Sequence, residues 1–93
     1  MVKHIVMYTL KDEFKKEENV RFIGSVLEPL VGKIPGLRHL EVRPAFQGMD
    51  YALYSEFESR QALADYAVHP LHLEAKSKFS HMIATRVAAD YDL

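Results

Sequence analysis

The spacing of apolar and polar residues predicts six regular elements in the order β-α-β-β-α-β. Residues 2–10, VKHIVMYTL, are rich in β-branched and aromatic types and end at a charged KDE turn, which is typical of a strand. Apolar residues then recur at helical spacing over roughly residues 15–33, with charged residues on the other face. Pro29 lacks the amide hydrogen that a helix interior needs, so we expect a kink or a frayed last turn there.

The rest of the chain predicts two consecutive strands, a broken helix and a closing strand. Residues 37–43 and about 51–58 flank the loop sequence PAFQGM and should pair antiparallel. Ser59 is a candidate N-cap for the second helix, which must break at His69 because a residue before proline avoids helical geometry. Pro70 suits the first position of a new helical segment, predicted to reach about Ile83, and residues 84–91 form the last strand.

This order predicts a ferredoxin-like α+β fold, in which a four-stranded antiparallel sheet carries both helices on one face. On the first strand Val2, His4, Val6, Tyr8 and Leu10 point to one side and Ile5 and Met7 to the other, so neither face is fully polar. Two helices can cover only one side of the sheet. We therefore expect a second copy to cover the other side through a two-fold sheet-to-sheet contact, giving a homodimer; a monomer with scattered exposed apolar residues is the alternative.

Composition narrows the class of protein and its partners. The 93 residues predict a single domain over residues 1–93, which buries only about 60 to 65 per cent of its unfolded surface, so self-association would add stability. The absence of cysteine excludes disulfides and thiolate metal sites. A net charge of -1 argues against a nucleic-acid partner. No apolar run approaches a membrane span or a signal core, so we expect no membrane partner and a cytoplasmic location.

His72 is the most informative of the five histidines because it lies in line with apolar positions of its helix. Burial and the positive end of the helix dipole both disfavour the imidazolium, so His72 should stay neutral, as a general base must. Tyr66, just before the proline break, could donate to a carbonyl or enolate oxygen of a ligand. The alternative is that both are core residues whose polar atoms are satisfied by neighbours.

A metal site is the competing interpretation of the histidines. His69 and His72 could be joined by His4 or Glu74, but the helix begins between the first two, so their rings need not converge, and no H-E-x-x-H run is present. We therefore expect no metal and no other cofactor.

Several segments resemble the stress-responsive A/B barrel (Dabb) family: VKHIVMYTLKDE, IPGLRHLEV, DYALYSEFES, YAVHPLH and the terminal DY. The resemblance spans nearly the whole chain. It implies a dimeric α+β barrel with a ligand pocket between sheet and helices in each subunit. The family includes plant stress proteins, many bacterial proteins without an assigned activity, and cofactor-independent polyketide cyclases. In the cyclases the motif tyrosine and second histidine act on the substrate; these match Tyr66 and His72, and the first-strand histidine matches His4.

The resemblance also implies which residues contact a small hydrophobic or aromatic carbonyl ligand. These are Val6, Tyr8, Phe22, Val26, Tyr51, Leu53, Ser55, His69, Ala75 and Phe79, with Arg86 at the pocket edge. Three functions stay open: cofactor-independent cyclase or lyase-like chemistry, a non-catalytic stress-response or ligand-binding role, and a cofactor-free monooxygenase, which the absence of tryptophan weakens.

Overall fold

The computed structural model describes residues 1–93, and it confirms the predicted order of strands and helices. The second helix is divided into two segments at His69-Pro70, as the proline predicted. The elements are β1 (Val2–Leu10), α1 (Lys16–Leu27), β2 (Leu37–Pro44), β3 (Tyr51–Phe57), α2 (Arg60–Val68), α3 (Pro70–Ser77) and β4 (Ile83–Asp92), with 3-10 turns at Glu28–Leu30 and Ser80–Met82.

Two helices are shorter than the sequence pattern predicted. The α1 helix ends at Leu27 rather than near residue 33, because Pro29 has no amide hydrogen for an α-helical bond and lies instead in a 3-10 turn. The α3 helix ends at Ser77 rather than near Ile83. There the Lys78 amide donates to the Ala75 carbonyl at 3.1 Å, a three-residue step that tightens the helix end.

Side-chain caps define the start of each segment of the broken helix. The Ser59 hydroxyl accepts a hydrogen bond from the Ala62 amide at 3.1 Å, which confirms Ser59 as the N-cap of α2. The ring nitrogen Nδ1 of His69 accepts from the Leu71 amide, also at 3.1 Å, at the start of α3. The two caps stabilise the first turns of α2 and α3.

The strands form one antiparallel sheet in the order β2-β3-β1-β4. Register places His4 opposite Ser55 on one side and Asp90 on the other, and Tyr8 opposite Tyr51 and Arg86. The core lies between β1, β2, β3 and the helices, whereas β4 is exposed along almost its whole length. The inner face of the edge strand β4 therefore borders solvent at the side of the helical layer.

No helix covers the outer face of the sheet. Met7 is 39% exposed there, Val87 is 53% exposed and Tyr91 is 50% exposed, and these side chains belong to the adjacent strands β1 and β4. None of the helices combines the length and the apolar character needed to cross a membrane.

Candidate functional site

A cavity of about 290 Å³ opens between the sheet and the helices, next to the edge strand β4. Its size is at the lower end of the range seen for small-molecule sites. Its wall combines apolar side chains with histidine, tyrosine and two cationic residues: His4, Tyr8, Leu27, Leu53, Leu63, Tyr66, Ala67, His72, Lys76, Phe79, Ser80, Ile83 and Arg86.

The helical wall of the cavity carries a stacked pair of rings. Tyr66, near the end of α2, and His72, in the first turn of α3, have ring centroids 4.1 Å apart and planes inclined by 27°. Phe57 packs its ring against Tyr66 at 5.0 Å in a T-shaped contact. The proline break makes this stack possible, because it turns α3 back so that residues six positions apart lie face to face.

Burial sets the protonation of both rings. Desolvation lowers the pKa of His72, the charge of Lys76 adds to this effect, and the backbone carbonyls of Ala67 and Tyr66 oppose it only in part. Burial also raises the pKa of Tyr66 well above its ordinary value of 10.0. At neutral pH the site therefore presents an uncharged imidazole next to a phenol that keeps its proton.

The two nitrogens of His72 differ in their surroundings. Nδ1 is buried and makes no hydrogen bond of good geometry, although the backbone carbonyls of Ala67 and Tyr66 lie near the ring and favour a proton on it. Because Nδ1 is enclosed by protein atoms, Nε2 is the nitrogen left to meet a guest molecule.

A second histidine faces the cavity from the sheet. His4 lies on β1, and its Nδ1 forms a short contact with the Asp90 carboxylate on the neighbouring strand β4. A carboxylate can only accept a hydrogen bond, so Nδ1 carries the proton and Nε2 is left for the cavity. The His4 side chain is only 12% exposed, and its ring packs edge-on against Phe57 at 6.1 Å. Sequence reasoning did not identify Asp90 as the partner that orients His4.

The structure brings together the three residues assigned to chemistry and three of the ten assigned to ligand contact. His4, Tyr66 and His72 line the cavity with Tyr8, Leu53 and Phe79, and Arg86 lies in its wall.

Seven of the expected contact residues lie outside the lining, for physical reasons that differ among them. Val6, Tyr51, Ser55 and Ala75 are buried by their neighbours; Tyr51, for example, stacks behind Tyr8 at 4.7 Å. Phe22 is 39% exposed on α1, and the side chain of His69 is used as the cap of α3. The last of the seven is Val26, which packs against the core.

Sequence reasoning missed six lining residues: Leu27, Leu63, Ala67, Lys76, Ser80 and Ile83. Leu63 lies one turn before Tyr66 on α2, Ala67 lies one turn after Leu63, and Lys76 lies one turn beyond His72 on α3, so helical spacing alone could have indicated them. Leu27, Ser80 and Ile83 reach the cavity only because of where α1, the Ser80–Met82 turn and β4 meet.

No group of three or more histidine, cysteine, aspartate or glutamate side chains is arranged to hold a metal ion. His69 and His72 were the potential ligands of the metal site considered above. Nδ1 of His69 accepts a hydrogen bond from the Leu71 amide, and the His72 ring stacks on Tyr66. The chemistry that the residues do offer is proton transfer, since a neutral base and a proton-bearing phenol share one mainly apolar wall.

Comparison with known proteins gives a consistent family and fold. The family model described as Stress responsive A/B Barrel Domain matches residues 2–93. A stress-response A/B barrel domain-containing protein of Arabidopsis thaliana is 27% identical over 96 residues, covering 97% of this chain and 87% of that protein. A dimeric ferredoxin-like protein of unknown function from Bacteroides fragilis superposes with a TM-score of 0.88 at 31% identity, covering 99% of this chain and 95% of that chain.

A hydroxynitrile lyase from Passiflora edulis has the same fold. Its TM-score is 0.81 at 19% identity, with 97% of this chain and 90% of that chain covered. At this identity the likeness concerns the fold alone.

Proposed function

The chain belongs to the stress responsive A/B barrel domain family, and from that premise we propose that it binds a small, mainly apolar carbonyl compound and catalyses proton transfer on it without a cofactor. The observation that carries the proposal is the neutral His72, stacked on Tyr66 beside a cavity rather than sealed in the core. The hydroxynitrile lyase from Passiflora edulis is a precedent for lyase activity on this fold.

The proposed step transfers a proton from the carbon next to the ligand carbonyl. Nε2 of His72 takes the proton, the C–H electron pair forms a C=C bond as the carbonyl π pair moves onto the oxygen, and the Tyr66 hydroxyl donates a hydrogen bond to the resulting enolate oxygen. The imidazolium that forms is a strong acid, because burial lowers the pKa of His72, and it readily returns the proton. Attack of the enolate carbon on a second carbonyl of the same ligand would give cyclase chemistry. Loss of a leaving group from the enolate would give lyase-like chemistry.

We assign His4, on the sheet side of the cavity, the role of a second proton-transfer group. Asp90 holds the His4 ring with its Nδ1 proton engaged, so Nε2 can accept a proton from the ligand or share in its return. With one base on the sheet and one on the helix, protons can be transferred at two carbons of the same ligand.

Deuterium exchange tests the catalytic proposal without knowledge of the natural ligand. Acetophenone is incubated with the protein in deuterated water, and the loss of its methyl proton signal is followed by NMR. Replacing His72 with Gln should slow exchange about 100-fold or more, and Tyr66→Phe about tenfold or more, since both groups act in the transition state.

His81→Gln is the matched control, because that exposed histidine packs on Phe14, away from the cavity. Exchange that is as fast in His72→Gln as in the wild type would exclude His72 as the base.

A non-catalytic binding role is the second candidate, and the close ring stack favours it. Rings 4.1 Å apart support each other as packing partners whether or not they meet a substrate. In that case His72→Gln lowers the thermal midpoint, acetophenone binds, and no variant changes the rate of exchange, which remains that of the solvent alone.

The outer face of the sheet supports a homodimer formed by sheet-to-sheet packing. Met7, Val87 and Tyr91 form an exposed apolar patch on two adjacent strands, and the Bacteroides fragilis relative is a dimeric protein. Light scattering should give twice the chain mass of 10.7 kDa. A Val87→Glu variant should give the monomer mass, while Val68→Glu, at a 70% exposed position on α2, should not. A monomeric wild type at micromolar concentration would refute the dimer.

A further inference from the structure

Two cationic side chains in the cavity wall have no anionic partner within the protein. Lys76 on α3 and Arg86 on β4 both line the cavity, and neither takes part in any of the ion pairs. By contrast Arg38, Arg43 and Arg60 each pair with a carboxylate. No aspartate or glutamate lines the cavity, so its wall carries positive charge that the protein itself leaves uncompensated.

The two cations reach the cavity from different walls. Lys76 lies one helical turn after His72, on the same side of α3. Arg86 lies opposite Tyr8 in the sheet, on the helix-facing side of β4, four residues from Asp90. The Ser80 side chain also lines the cavity, and its residue starts the turn that joins these two elements. Donor groups from α3 and β4 therefore share one cavity with the histidine and tyrosine rings.

We propose that the ligand of this cavity is an apolar carbonyl compound that also carries a carboxylate, which Lys76 and Arg86 bind. This inference rests on the proposed function, because it names the class of compound that the same site takes. Four residues of α-helix advance by about 6 Å, so the carboxylate should lie roughly that far from the carbon that His72 deprotonates. A flat ring between the two groups would span this distance and contact the apolar wall.

Binding of an anion by Lys76 and Arg86 would also activate His72 as a base. Lys76 helps to lower the pKa of His72. A carboxylate beside Lys76 offsets that charge and raises the pKa of His72 towards its ordinary value, which strengthens the base only when the ligand is in place. Both cationic groups are exposed at the cavity mouth, so they stay hydrated until a ligand arrives, and charge attraction there also guides an anion inward.

Matched probes separate the anion from the rest of the ligand. We choose 4-acetylbenzoate, which places a carboxylate across an aromatic ring from an acetyl group, and its methyl ester, which lacks the charge. Dissociation constants for both are measured by NMR titration at low ionic strength. The wild type should bind the acid roughly tenfold more tightly than the ester, a ratio that falls as salt is added.

Variants then assign the preference to the two residues. Lys76→Gln and Arg86→Gln should each weaken binding of the acid by roughly three- to tenfold and leave binding of the ester unchanged. Lys78→Gln, just beyond the end of α3 and outside the cavity lining, should change neither.

Equal affinity of the wild type for acid and ester would overturn the inference, as would variants that weaken both compounds alike. Acetophenone exchange separates this failure from that of the proposed function. If exchange depends on His72 but the acid binds no more tightly than the ester, only the proposal of a ligand carboxylate is refuted. If the protein neither exchanges acetophenone protons nor binds either compound, the proposed function is refuted as well.

Discussion

Replacing Gly36 with alanine should destabilise the fold through two separable effects. Gly36 precedes β2 with φ of +85°, a region that side-chain-bearing residues rarely adopt. A Cβ at this position would lie 2.5 Å from the Cβ of Ala62 in α2. That separation is about 1 Å shorter than ordinary carbon contact, and the neighbouring atom belongs to a helix rather than to a flexible side chain. The glycine therefore allows α2, which carries Tyr66, to pack closely on the sheet.

The expected magnitude follows from the two effects. The left-handed backbone costs alanine about 1 kcal/mol after allowance for the reduced freedom of its unfolded chain. Overpacking against a helix costs about 1 to 3 kcal/mol more, because α2 must shift or the turn must distort. Gly36→Ala should therefore lower the free energy of unfolding by about 2 to 4 kcal/mol.

Gly48→Ala provides the matched control, since Gly48 has φ of +90° and nothing within 4 Å of an added Cβ. Urea unfolding followed by circular dichroism gives the free energy of unfolding for both variants. Gly48→Ala should cost only the backbone share of about 1 kcal/mol. In a double-mutant cycle, Ala62→Gly should recover most of the additional loss in Gly36→Ala. A Gly36→Ala loss no larger than that of Gly48→Ala would refute the contact argument.

Three further predictions test the histidines and the helix cap. Because the pKa of His72 is lowered in the folded state, its contribution to stability is present above pH 6.5 and is lost as pH falls through the folded pKa, by at most about 1.4 kcal/mol per pH unit. The free energy of unfolding in urea, measured from about pH 7.5 to about pH 5, should therefore decline less in His72→Gln than in the wild type. Equal declines in the two proteins would contradict this assignment. Asp90→Asn should slow acetophenone exchange about tenfold by releasing the orientation of the His4 ring, with less than about 1 kcal/mol of stability lost; an unchanged rate of exchange would exclude the role of Asp90. Ser59→Ala should cost about 1 kcal/mol in urea unfolding because the Ala62 amide loses its acceptor, and a loss near zero would exclude the cap.

Local periodicity predicted the type and order of the elements, and it failed at helix ends. The alternation put Val2, Val6 and Leu10 on one side of β1, which is the buried side in the structure, and Pro70 located the break in the second helix. The apolar spacing on both helices continues past their true ends. Such spacing reports which side faces the core, and a 3-10 turn can satisfy it almost as well as an α-helix.

The candidate site was predicted in part, and its composition shows why. Tyr66 and His72 were recognised because the proline between them and the apolar face of α3 are visible in the sequence. Asp90 was not, since its pairing with His4 joins residues 86 positions apart in the chain. Expected contact residues such as Val6 and Tyr51 share the correct face of the sheet but are enclosed by the core.

The sequence by itself determined the type and order of the elements, the apolar side of the helices, the cap at Ser59 and the presence of a histidine and tyrosine around a proline break. Only the tertiary structure decided where the packing between sheet and helices leaves a cavity, and which side chains reach it. The physical reason is that the preferences of an element depend on its own residues, whereas a cavity is bounded by several elements at once. Its walls at Leu27, Lys76 and Arg86 come from three elements whose angles and separations no single segment encodes.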